Sequence, residues 1–158
     1  MMKNSDVLYA LDKTQKVRWP EMPKLLNHLP AFFLAAFLLM MGAQKFGAEN
    51  IIFATIAERS GIGLFEPVIR VLTGIGEIGA ALLLLLPRTR LFGALGAVAL
   101  IGGAILFHLS PWLGINVAMA AGEAPSPVLF MMAVGSFLLA AFTLIVARAA
   151  DQSKASAE

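Results

Sequence analysis

The sequence predicts an all-α membrane protein: a four-transmembrane-helix bundle, N-in/C-in, with a short interfacial helix between spans one and two. Three observations carry that expectation. Apolar residues make up 59% of the 158 residues and charged residues only 14%, against roughly 45–50% and 25% in an ordinary soluble domain; mean hydropathy is +0.81. The apolar residues gather into four stretches, each close to the ~20 residues that a helix needs to cross ~30 Å of hydrocarbon. The basic residues collect on one side of those stretches, which fixes their direction through the positive-inside rule.

Composition also excludes several classes of function. The length suits a single folding unit. The chain has no cysteine, so disulfides, thiolate metal sites and iron–sulfur clusters are ruled out. A net charge of +2 comes from basic residues scattered along the chain without interleaved aromatics, so no nucleic-acid partner is expected.

Residues 1–24 form a polar arm in which Lys3, Lys13, Lys16, Arg18 and Lys24 alternate with Asp6, Asp12 and Glu21. The first apolar run opens near Leu25, too far in for a cleavable signal peptide, so this span is expected to stay in the bilayer. The membrane domain covers 25–148. Its spans run from Leu25 to Gln44, Phe65 to Leu86, Leu91 to Leu109 and Pro127 to Ala147. Pro87 and Pro111 stand where the second and third must stop, and Pro125 and Pro127 where the fourth begins. The link Pro87-Arg88-Thr89-Arg90 is short enough to make spans two and three an antiparallel hairpin.

Arg88, Arg90, Arg148 and Lys154 join the basic arm on the cytoplasmic side, while 110–126 carries no basic residue. Between spans one and two, Ile51, Ile52, Thr55 and Ile56 recur at helical spacing opposite Glu49, Glu58 and Arg59, as an interfacial helix requires. The tail 149–158 is expected to be disordered. Gly76 with Ala80, Ala99 with Gly103, and Ser136 with Ala140 are small-xxx-small pairs that read as helix packing. Trp19 and Trp112 read as interface anchors.

Span two carries the strongest chemical signal. Glu66, Arg70, Thr73 and Glu77 sit at i, i+4, i+7 and i+11, within about a 60° sector at 100° per residue. A charge at mid-helix costs roughly 2.5–3.5 kcal/mol on insertion scales, so this face must turn to the bundle interior, a wet cavity or a partner. Two readings stay open: Glu66 and Arg70 pair while Glu77 only fixes packing, or Glu77 is a proton-exchanging or ligand-binding carboxyl at the bottom of an outward cleft. Gln44 and Lys45 at the end of span one and His108 at the end of span three lie at the same outer level. His28 starts span one at the opposite end, so the two histidines cannot form a bis-histidine haem site, and no metal-ligand spacing occurs. No intrinsic cofactor is expected.

Gly42-Ala43-Gln44-Lys45-Phe46, the following Glu49, Gly74-Ile75-Gly76-Glu77-Ile78-Gly79 running into a leucine-rich half-span with a Pro-Arg end, and a Gly/Ala-rich third span ending in His108 together resemble the DoxX-like family of small bacterial membrane proteins. The resemblance covers most of the chain, from span one into span four. It implies a multi-pass protein of the bacterial inner membrane, and through relatives associated with quinol oxidases, thiosulfate oxidation and oxidative stress it implies redox or respiratory partners. The expectation is an accessory subunit of such a complex, with Gln44, Lys45, Glu66, Arg70, Thr73, Glu77 and His108 lining an outer cleft for a quinone or small reductant. The alternatives are a homo-oligomeric proton-coupled carrier or channel working through Glu77, and a scaffold that only binds other membrane proteins. No catalytic residue set carries over.

Overall fold

The computed structural model describes residues 24–48, 50–120 and 122–155. The polar arm and Trp19 therefore lie outside them, except that Lys24 opens the first helix. Five helices follow: α1 (Lys24–Ala43), α2 (Ile51–Ser60), α3 (Val68–Leu85), α4 (Arg90–His108) and α5 (Val128–Ala155), with 3-10 turns at Gln44–Phe46 and Gly63–Phe65. Among the described residues the only β pairing is one bridge, Val117 to Ser126. Among the described residues four helices are long and apolar enough to cross a membrane, and no more than 33% of the residues in any of these spans are buried. The rest of each span presents side chains such as Phe32, Leu72, Leu106 and Leu138 outward, as a lipid-facing surface requires.

The four long helices form an antiparallel ring in which α1 packs on α3 and α5, and α4 packs on α3 and α5. Its core is built from Leu34, Leu38, Ala81, Leu84, Ala94, Ala97 and Ala140. One end of the ring, the capped end, is closed by α2 and the segments 109–120 and 122–127. There Ile56, Phe65, Leu113 and Val117 form a second apolar cluster, with Phe65 set edge-on to Phe107 at 5.4 Å. Asn50 caps α2 by accepting from the Ile52 and Phe53 N–H groups, and Gly61 ends it at φ 72°, a left-handed conformation that glycine adopts without strain. At the opposite end the α3–α4 hairpin is tied by Thr89 Oγ1 donating to the Leu83 carbonyl and Arg90 Nε to the Leu84 carbonyl. These bonds satisfy carbonyls that the end of α3 would otherwise orphan.

Three sequence expectations need correction. Span two begins its α-helix only at Val68, so Glu66 stands in extended backbone before it. The cause is Pro67, which lacks an N–H and pushes its predecessor out of the α region. The tail beyond 148 is helical to Ala155, because 149–155 contains no proline or glycine to stop α5. Ala99 and Gly103 are not at a helix contact: nothing lies within 4 Å of a Cβ built on Gly103, and both residues line a cavity.

The close approaches are made elsewhere. A Cβ on Gly93 would meet the Leu84 nitrogen at 2.6 Å and the Ala80 carbonyl oxygen at 2.8 Å, so backbone itself would have to move. Gly93→Ala is therefore expected to force α3 and α4 apart at a cost of about 1–3 kcal/mol, whereas Gly79→Ala, with nothing within 4 Å, should cost nothing. Thermal unfolding in detergent compares the two, and equal melting temperatures would show that the hairpin is loosely packed.

Candidate functional site

The site is built where α1 and α3 touch. A Cβ on Gly42 would sit 3.1 Å from the Gly74 carbonyl oxygen, and one on Gly74 would sit 3.0 Å from the Gly42 carbonyl oxygen. Only the absence of both lets the backbones come this close. That approach brings Lys45, one turn beyond Gly42, against Glu77, one turn beyond Gly74. The Lys45 Nζ donates to Glu77 Oε1 at 3.0 Å and to the Met41 carbonyl at 3.1 Å, and lies 2.8 Å from Glu77 Oε2. Both residues are buried, at 7% and 9% exposure. The ammonium therefore sits against both oxygens of the carboxylate.

Arg70 does something different. Its guanidinium is 3% exposed and donates to the carbonyls of Lys45, Gly47 (2.8 Å) and Ala48 (3.5 Å), while its Nε lies 2.7 Å from Glu66 Oε1. It thus neutralises the carboxylate ahead of α3 and holds the turn that follows α1, including the backbone of Lys45. A planar fork with five donors suits this role. Arg70 is a clamp.

A cavity of about 360 Å³ lies beside the Lys45–Glu77 pair, within the ring and beneath α2. Its volume falls within the range of small-molecule sites, roughly 300–1,000 Å³. Its walls are mostly apolar, with side chains such as Phe37, Leu100, Phe107 and Met132 from three helices. Of the residues expected at the cleft, Gln44, Lys45, Thr73, Glu77 and His108 do line it, and Glu66 and Arg70 do not. The stripe on span two therefore divides: its outer half binds the α1 turn and its inner half faces the cavity. Thr73 Oγ1 donates to the Ile69 carbonyl at 2.8 Å. His108, 6% exposed, has Nδ1 2.9 Å from the Gly114 carbonyl and its ring edge-on to Phe130 at 5.8 Å.

Two polar lining residues escaped the sequence reading. Asn50 reaches the cavity as the N-cap of α2, and an asparagine before Ile51-Ile52 was the readable signal. Ser136 lines it from α5, donating to the Met132 carbonyl at 2.8 Å; its spacing with Ala140 signals only packing. His28 lies at the far end, its Nδ1 3.0 Å from Arg90 Nη2. Among the described residues no three His, Asp or Glu side chains converge on a metal-sized site. Compared with family models, curated proteins and solved structures, the chain gives no match in any of the three.

Proposed function

We propose that this chain is a DoxX-like, multi-pass protein of the bacterial inner membrane that serves as an accessory subunit of a redox or respiratory complex and holds a quinone or small reductant in the cavity beside Lys45 and Glu77. The observation that carries the reading is the cavity itself: apolar walls for a hydrophobic body and a few convergent buried polar groups for a polar head, the usual make-up of a small-molecule site. The orientation rests on charge. Arg88, Arg90 and Arg148 lie at the end opposite the cavity, while among the described residues the exposed basic side chain at the capped end is Arg59. The positive-inside rule then turns the cavity outward and both termini inward.

Mass spectrometry of small molecules retained after gentle detergent extraction tests this. The expected result is a lipid quinone in near-stoichiometric amount. Recovery of phospholipid alone would count against the proposal.

A proton-coupled homo-oligomeric carrier is favoured by one observation, the buried Glu77 carboxyl on the cavity wall. That reading requires solute flux driven by a pH gradient in liposomes holding only this chain.

A further inference from the structure

We infer that the cavity is filled sideways from the bilayer, through a window between α3 and α4 at Thr73 and Gly103, and that its ligand is a single-chain amphiphile whose tail stays outside in lipid. The inference rests on the cavity being a ligand site, as proposed above, and adds the route of entry and the place of the tail.

The α3–α4 hairpin opens towards the capped end. Near the link, a Cβ on Gly93 would meet α3 backbone at 2.6 Å. Further along, one on Gly96 would meet the Ala80 Cβ at 3.4 Å, and one on Gly76 would meet Leu100 Cδ2 at 3.4 Å. At Gly103 nothing lies within 4 Å. Beyond it Ile69 of α3 and Phe107 of α4 both pack on the second apolar cluster. The window is thus bounded by Gly76 and Leu100 on one edge and by Ile69 and Phe107 on the other. From Ile69 to Gly76 the helix rises about 10 Å, which, less the side chains at either edge, passes one hydrocarbon chain and not the pair of a phospholipid.

The cavity wall runs out through this opening. Ile69 and Thr73 line the cavity from α3, and Ala99, Leu100 and Gly103 line it from α4. Ala99 is exposed, and at 100° per residue it falls on the α4 face that carries exposed Phe92, Leu95 and Leu106. One wall therefore leads from the buried Lys45–Glu77 pair to the outside of the bundle.

Gly103 lies five residues inside the end of α4 at His108, or about 7 Å, so the window opens among lipid chains. The Thr73 hydroxyl donates to the Ile69 carbonyl of its own helix and sets no unpaired donor in the path of a tail. An amphiphile entering here keeps its tail in an apolar medium throughout. A tail leaving by the capped end, where exposed Gln44 and Met119 mark the rival route, would pass into water.

The test uses the full chain in lipid nanodiscs and a benzoquinone whose decyl tail ends in a diazirine. After illumination, adducts displaced by excess unlabelled decyl-benzoquinone are located by mass spectrometry. They are expected on the outer faces of α3 and α4, at residues such as Leu72, Leu95 and Ala99. Gly103→Leu, which fills the window, should weaken decyl-benzoquinone binding roughly tenfold. Gly135→Leu is the control: it changes an exposed α5 glycine that also has nothing within 4 Å and lies off the cavity wall, and should bind as wild type. The wild-type labelling stands on its own if Gly103→Leu does not fold. Displaceable adducts on α2 or near Met119, or a folded Gly103→Leu that binds no worse than Gly135→Leu, would overturn the inference and leave the cavity as a ligand site. No displaceable adduct and no binding at all would overturn both.

Discussion

Lys45→Met is expected to lower the melting temperature in detergent by on the order of 10 °C. The substitution keeps an unbranched side chain one atom shorter but strips Glu77, at 9% exposure, of its counter-ion, and breaking a buried pair in this way costs about 3–5 kcal/mol. The second half of the experiment separates charge from packing. Replacing a whole buried pair by apolar residues is often neutral, so Lys45→Met combined with Glu77→Met should recover most of the loss. An unchanged melting temperature in the single variant would show that water, not protein, compensates Glu77.

Arg70→Ala should have an effect of similar size for a different reason. It leaves Glu66 without its cation and the carbonyls of Lys45, Gly47 and Ala48 without a donor. The bond to the Lys45 carbonyl is the buried one, and a buried acceptor left unpaired costs about 1–3 kcal/mol. Arg59→Ala is the control, because Arg59 is exposed and makes one bond, to the Leu113 carbonyl at 3.2 Å; its removal should cost about 0–1 kcal/mol. Arg70→Lys is expected to rescue little, since one ammonium cannot span three carbonyls and a carboxylate. Melting temperatures of the three variants decide the matter, and equal, small losses for Arg70 and Arg59 would mean that Arg70 is solvated.

The spans were legible because crossing hydrocarbon demands a length and a composition that local sequence displays directly. The α2 helix was legible for a similar reason, through the helical spacing of Ile51, Ile52, Thr55 and Ile56. The stripe on span two was legible as a face, because ionisable groups inside a span must point inward. Its division was not. Whether Arg70 meets a cavity or the carbonyls of Gly47 and Ala48 depends on how the turn after α1 lies against α3, and that depends on the Gly42–Gly74 approach. The same limit explains Ala99 and Gly103: small residues permit a close contact without saying whether another helix takes it up. Glu66 fell off the helix for a local reason, Pro67, which the sequence did display.

In the proposed function Glu77 is a ligand-contacting carboxylate at the cavity and not a packing residue. Quinone content per chain, determined by mass spectrometry on Glu77→Gln and wild type purified side by side, tests that most directly, because Gln keeps the shape and removes the carboxylate. The expected result is a variant that reaches the membrane and stays folded but has lost most of its bound quinone. A folded variant that retains the wild-type quinone content would contradict the account.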